Sequence, residues 1–218
     1  MELTKEQIQF IDHYLKENGI EYWDLRIEMV DDLVSDIELN SETTLFKNEF
    51  KSALKRSGWN KNLRKIHENG WKTINTLYRK QFSKMFIDFF KSFKKVVVFL
   101  TLTLTYFFLA QNISLKHFKQ LNIILYIIPI VFCLLHTVML YFKKFRKSVH
   151  INYGVFYFSI TFLVLNMVIQ FIPYTSEVIQ KKVWILLIPL YYVAMYSGYK
   201  IFQVAITKIE NIKRELSL

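Results

Sequence analysis

Four stretches of this chain run for the length of a membrane crossing without a single aspartate or glutamate: residues 96–113, 121–142, 153–173 and 183–206. A helix needs about 20 apolar residues to cross the hydrocarbon core. Lipid offers no hydrogen-bond partners, so a crossing segment must satisfy its own backbone, and short connections between the stretches point to helices. Lys200 is the one cation inside them, near the end of the fourth, where its stem can reach the interface. The expected class is therefore all-α: a small cytoplasmic helical domain followed by a four-helix transmembrane bundle. The domains expected are 1–70 (cytoplasmic helical domain), 71–95 (basic amphipathic juxtamembrane helix) and 96–218 (the four spans).

Charge supports that division. Residues 1–95 hold 17 of the 29 Lys and Arg and 15 of the 18 Asp and Glu. Within that part, residues 1–42 have 3 basic and 12 acidic side chains, a balance of −9. Residues 43–95 have 14 basic and 3 acidic, a balance of +11. The basic excess lies where the cytoplasmic flank of a membrane protein needs it. The start, Met1-Glu2-Leu3-Thr4-Lys5, lacks the basic and apolar run of a signal peptide. Lysines and arginines are densest before the first stretch, between the second and third (Lys143, Lys144, Arg146, Lys147), and after the fourth (Lys208, Lys213, Arg214). The positive-inside rule makes these cytoplasmic, so the expectation is a multi-pass protein of the inner (cytoplasmic) membrane with both termini cytoplasmic.

The N-terminal part reads as amphipathic helices. Thr4 and Gln7 have capping-box spacing, and Asn18-Gly19 is a stop. A second helix, from about residue 22 to 38, puts Leu25, Met29, Val30, Leu33 and Ile37 on one half and Asp24, Glu28, Asp31 and Asp32 on the other. That acidic face is the candidate partner-binding surface. Arg26 falls on the apolar half; a buried guanidinium needs a carboxylate, with Asp12 and Glu17 as candidates, the alternative being that its stem reaches out to solvent at the helix end. A third helix turns Phe46, Phe50, Ala53 and Leu54 inward and carries Lys47, Lys51 and Lys55 as a stripe, a charge clasp for the second. Asn69-Gly70 reads as a stop. After it, an aromatic arc from Trp71 to Phe93 with Lys80, Lys84, Lys91 and Lys94 off the arc has the pattern of a helix at a membrane surface, with Trp71 and Phe89 as its anchors.

Two of these segments, Phe10-Ile11-Asp12-His13-Tyr14-Leu15 and Tyr22-Trp23-Asp24-Leu25-Arg26-Ile27-Glu28-Met29-Val30-Asp31, resemble a group of uncharacterised multi-span membrane proteins from Bacteroidetes bacteria. More loosely, the stretch is similar to the small helical signalling domains associated with helix-turn-helix regulators (HAAS-type domains). The resemblance covers roughly the first forty residues. It implies a cytoplasmic domain that works with a winged-helix repressor of the PadR type. A His often follows the aspartate matching Asp31 in that group; Asp32 stands there in this chain.

Signatures of enzyme chemistry are absent: no HExxH, no Gly-rich phosphate loop, no G-x-S-x-G and no CxxC. No cofactor and no metal is expected, since one helix face such as Glu28, Asp31 and Asp32 rarely converges enough oxygens on a hard cation. The basic residues of 43–95 lack a recognition helix, so no direct nucleic-acid contact is expected. Among the polar residues inside the spans His136, Asn166 and Gln170 stand out, with the lone Cys133 one turn before His136. They read as interhelical hydrogen bonding or as the lining of a polar path. The expected activity is non-enzymatic, regulatory or sensory, with a small transport or channel subunit as the alternative. The expected neighbours are the lipid bilayer, a cytoplasmic regulatory protein and a second copy of the chain.

Overall fold

The computed structural model describes residues 2–41, 45–60, 63–142, 147–170 and 172–216. Every regular element among the described residues is helical. In order they are α1 (Lys5–Glu17), α2 (Trp23–Asn40), α3 (Phe46–Arg56), α4 (Leu63–Lys91), α5 (Phe93–Asn112), α6 (Leu115–Phe142), α7 (Val149–Ile169), a 3-10 turn (Ile172–Tyr174) and α8 (Glu177–Leu216). Of these, α5, α6, α7 and α8 are long and apolar enough to cross a membrane. The protein is thus an all-α, multi-pass membrane protein with a four-span set.

The chain forms two compact units. The first comprises residues 1–76, 146–152 and 209–218; the second comprises 77–145 and 153–208. The first unit therefore takes in more than the N-terminal region: the start of α7 and the end of α8 belong to it.

The first unit is organised by local signals the sequence announces. Thr4 and Gln7 cap α1 reciprocally: the Thr4 amide donates to Gln7 Oε1 at 2.8 Å and the Gln7 amide to Thr4 Oγ1 at 3.4 Å. Gly19 then reverses the chain at φ +94°, a left-handed conformation open to glycine. Ile11 and Leu15 from α1, Leu25, Met29, Leu33 and Ile37 from α2, and Phe50, Ala53 and Leu54 from α3 form one core with Leu63 of α4. An ion pair joins α2 and α3 through Arg56 and Asp36, at 2.7 Å. Lys47, Lys51 and Lys55 of α3 are solvent-exposed.

Asn69-Gly70 does not end a helix. The described part of α4 runs through it to Lys91. A Cβ on Gly70 would sit 3.3 Å from both methyls of Leu25, so the glycine serves close approach of α4 to α2. The break falls instead at Ser92, whose extended backbone separates α4 from α5. The aromatic arc of α4 packs on protein. Trp71 meets Tyr22 edge-on at 5.4 Å within the first unit. In the second unit Tyr78 stacks on Tyr153 of α7, Phe82 meets Tyr157, and Phe89 meets Tyr196 of α8. Trp71 and Phe89 thus make ring contacts within the protein, with Trp71 still 38% exposed, and Lys80, Lys84, Lys91 and Lys94 are exposed. Lys91 is paired with Asp88 at 2.7 Å, and that contact holds the Asp88 carboxyl below its ordinary range.

In the second unit α7 and α8 approach most closely at two glycines. A Cβ on Gly154 would lie 2.7 Å from Ala205 Cβ. One on Gly198 would lie 2.6 Å from the Tyr157 carbonyl oxygen and 2.9 Å from Phe158 Cα. Small residues that let backbones touch are the usual contact between helices in lipid, where burial from water contributes no drive. At the other end of the spans, Lys181 Nζ donates to the carbonyls of Ala110 (2.8 Å) and Ile113 (2.9 Å), closing the C-terminus of α5. α8 continues past the crossing length, and Ile209 near its end is fully buried in the first unit.

Candidate functional site

The most heavily bonded polar cluster lies in the first unit and centres on Asp24, which is 1% exposed. The first N–H groups of any helix have no partner inside it and must be satisfied from outside. At the start of α7, Ser148 accepts from the Ile151 amide through Oγ at 3.2 Å, as an N-cap. The two remaining amides reach across the chain. Val149 N donates to Asp24 Oδ1 at 3.1 Å, and His150 N donates to Asp24 Oδ2 at 3.2 Å. The Ser148 hydroxyl donates to the same carboxylate at 2.7 Å. One carboxylate from α2 thus completes the cap of the third span, 124 residues away. The negative charge also faces the positive end of the helix dipole.

Neighbouring residues of the same short segment add to the grip. The Trp23 amide donates to the Lys147 carbonyl at 3.2 Å. Asn152 Nδ2 donates to the Tyr22 hydroxyl at 3.0 Å. Lys147 itself sits at φ +56°, a left-handed conformation that costs a non-glycine residue about 1–2 kcal/mol. Lys213, from the last turn of α8, places Nζ 5.7 Å from the Trp23 ring. Arg26, one turn on, donates from Nε to Asp12 Oδ1 at 2.6 Å and from Nη1 to the Ile20 carbonyl at 3.1 Å, fixing the α1–α2 turn. Tyr22, Trp23, Asp24 and Arg26 together form a latch that joins α1 and α2 to the first turn of α7.

This corrects the reading of the acidic face. Asp24 is not available to another protein: its carboxylate is buried and bonded to Ser148, Val149 and His150. It lies on the polar half of α2 because that half faces a helix N-terminus. Glu28, Asp31 and Asp32 are exposed. Glu28 Oε1 is 4.0 Å from the buried His150 ring. Partial desolvation, then the charges of Asp32 and Glu28, raise the Asp31 pKa above the ordinary carboxylate value. Among the described residues, no group of three or more His, Cys, Asp or Glu side chains is arranged to hold a metal ion.

His136 Nδ1 lies 2.9 Å from the Phe132 carbonyl oxygen, and its ring packs among Phe132, Tyr199 and Phe202. Asn166 and Gln170 share a face of α7, and both are exposed. Among the described residues, polar contacts between spans include several made by tyrosines. The Tyr106 hydroxyl donates to the fully buried Asn122, and Tyr126 and Tyr191 donate to the carbonyls of Phe162 and Tyr126. Ser148 was open to recognition, since a serine directly before an apolar run has the N-cap pattern. Nothing local announces that Asp24 joins it.

Comparison with protein-family models, with curated proteins and with solved structures finds no match.

Proposed function

We propose that this is a non-enzymatic regulatory or sensory protein of the inner (cytoplasmic) membrane. Its N-terminal helices face the cytoplasm and bind another protein there through Glu28, Asp31 and Asp32. The observation that carries this reading is the Asp24 cap. A domain serving only as a tether needs one covalent link to the membrane part. Here the N-terminal helices also hold the first turn of α7, in a unit that includes the end of α8. A displacement of either span alters the cap, and a protein bound to α2 acts back on the spans. Such coupling is reciprocal by thermodynamic necessity.

The acidic face supports the partner's chemistry. A carboxyl whose folded-state pKa is raised disfavours the folded state once pH rises above its unfolded value, and the penalty is relieved on protonation. Desolvation is the larger part of that cost for Asp31; the rest is repulsion from Asp32 and Glu28, and that part a cationic surface laid on the three would relieve. The expected partner is accordingly a cytoplasmic protein with a basic patch. A winged-helix repressor of the PadR type is the candidate that the resemblance of residues 10–31 offers. The distribution of lysine and arginine supports the cytoplasmic placement of both termini.

The test is a photo-crosslinking side chain placed at Asp31 in growing cells. The expected result is one discrete adduct with a cytoplasmic protein, lost when Glu28 and Asp32 are both changed to Lys. An adduct with an extracytoplasmic protein, or one that survives the charge reversal, would contradict the reading.

A further inference from the structure

The second unit contains an apolar cleft of about 450 Å³ between α5 and α8. Its walls include Phe99, Leu102 and Tyr106 on one side and Pro189, Tyr192 and Tyr196 on the other. Only 6% of the best apolar window of α5 is buried, the lowest share of the four spans, so the cleft lies beside the least-covered helix. Along both helices the lining advances by eight residue steps, from Val98 to Tyr106 and from Ile188 to Tyr196. At 1.5 Å per residue that is about 12 Å. One leaflet of a bilayer contributes about 15 Å of hydrocarbon, half of the core. The cleft thus matches the depth of one leaflet rather than a whole crossing.

One end of it is cationic. Lys95 Nζ lies 5.3 Å from the centre of the Tyr196 ring and 5.8 Å from that of Phe89. Lys200 Nζ lies 5.9 Å from the same Tyr196 ring and donates to Gln203 Oε1 at 3.2 Å. Two cations from different helices therefore converge on an aromatic ring that is itself part of the cleft wall. Asp88, a carboxylate within electrostatic reach of Lys95, is bonded to Lys91. An apolar slot of leaflet depth with paired ammonium groups at its mouth has the polarity of one molecule, an anionic amphiphile.

We propose that the cleft between α5 and α8 binds an anionic phospholipid, with one acyl chain along Phe99, Leu102 and Tyr192 and the phosphate on Lys95 and Lys200. The acyl chain covers apolar surface that a water-filled cleft would leave unpaired. The phosphate accepts hydrogen bonds from both ammonium groups, which stay over Tyr196. A neutral phospholipid fits the slot equally well, so the lysines supply the selectivity.

The experiment uses the full chain reconstituted in vesicles of mixed phosphatidylcholine and phosphatidylglycerol. Two probes carry the same diazirine-bearing acyl chain, one on each headgroup, and the labelled residues are mapped by mass spectrometry. The phosphatidylglycerol probe should label the cleft walls about fivefold or more above the phosphatidylcholine probe, the order expected for one lysine at an anionic surface. Lys95→Gln with Lys200→Gln should bring the two probes level. Thr103→Trp, which fills the slot and leaves both lysines, should reduce labelling by both. Equal labelling of the wild-type chain by the two probes would overturn the proposal. So would labelling confined to the outward faces of α5 and α6. Disulfide-linked dimers of a Leu102→Cys, Cys133→Ala variant would also overturn it, by showing that a second copy fills the cleft.

Discussion

Asp24→Ala should cost about 3 kcal/mol of stability, a large part of what a domain of this kind has to spare. The substitution removes the acceptor of four hydrogen bonds, one from the Leu25 amide and three from the start of α7, and leaves Val149 N, His150 N and the Ser148 hydroxyl without it. Bonds to a charged group contribute about 1.5–3 kcal/mol each, and loss of an N-cap alone about 0.5–2, with considerable overlap among the three. Asp24→Asn should lose less, because the amide oxygen can still accept from one backbone amide. The measurement is unfolding of the reconstituted protein, read together with hydrogen exchange at residues 149–151. Those amides should exchange faster in the Ala variant, while α6 stays protected. Unchanged exchange at 149–151 would mean that the cap is satisfied in some other way.

Gly198→Leu should have the second large effect, in the membrane unit. Even an alanine there brings its Cβ to 2.6 Å from one backbone atom of α7 and 2.9 Å from another. Neither is the end of a side chain that can swing away, so the helices themselves must move. Overpacking a fitted contact costs about 1–3 kcal/mol, and leucine has no room at all without separating α7 from α8. Gly198→Ala should therefore show a partial loss in unfolding measurements and Gly198→Leu a pair of helices no longer in contact. The latter is readable as faster hydrogen exchange on the facing turns of both helices, residues 154–158 and 198–205.

The spans were legible because their signal is local and long. An acid-free apolar run carries its own evidence, and α5, α6, α7 and α8 fall on the four runs. Their ends were less so: α8 begins at Glu177 and runs to Leu216, because amphipathic helix continues the apolar stretch without a break in backbone geometry. The partner of Arg26 could be narrowed to Asp12 or Glu17 in advance, since a guanidinium on an apolar half demands a carboxylate, and the structure pairs it with Asp12. Asp24 could not. On a helical wheel it is one more acid of a polar face, identical in kind to Asp31 and Asp32. What separates it from them is a helix terminus supplied from beyond residue 146, and no periodicity in α2 records that. Gly70 failed for a related reason: a glycine that admits Leu25 and a glycine that ends a helix look the same in one dimension.

The account's central claim is that the N-terminal helices and the spans respond together because α7 is capped by Asp24. It is tested most directly by hydrogen exchange of α2 in the full-length Gly198→Leu variant, reconstituted in bilayers. The substitution lies on α8 and acts on α7 through Tyr157 and Phe158, whereas α2 holds the first turn of α7. The account predicts faster exchange at residues 23–30 and 149–151 in the variant, and no further acceleration at either segment when Asp24→Ala is added. Exchange in α2 that matches the unsubstituted protein, with α7 and α8 already separated, would contradict it and leave the N-terminal helices as a passive attachment.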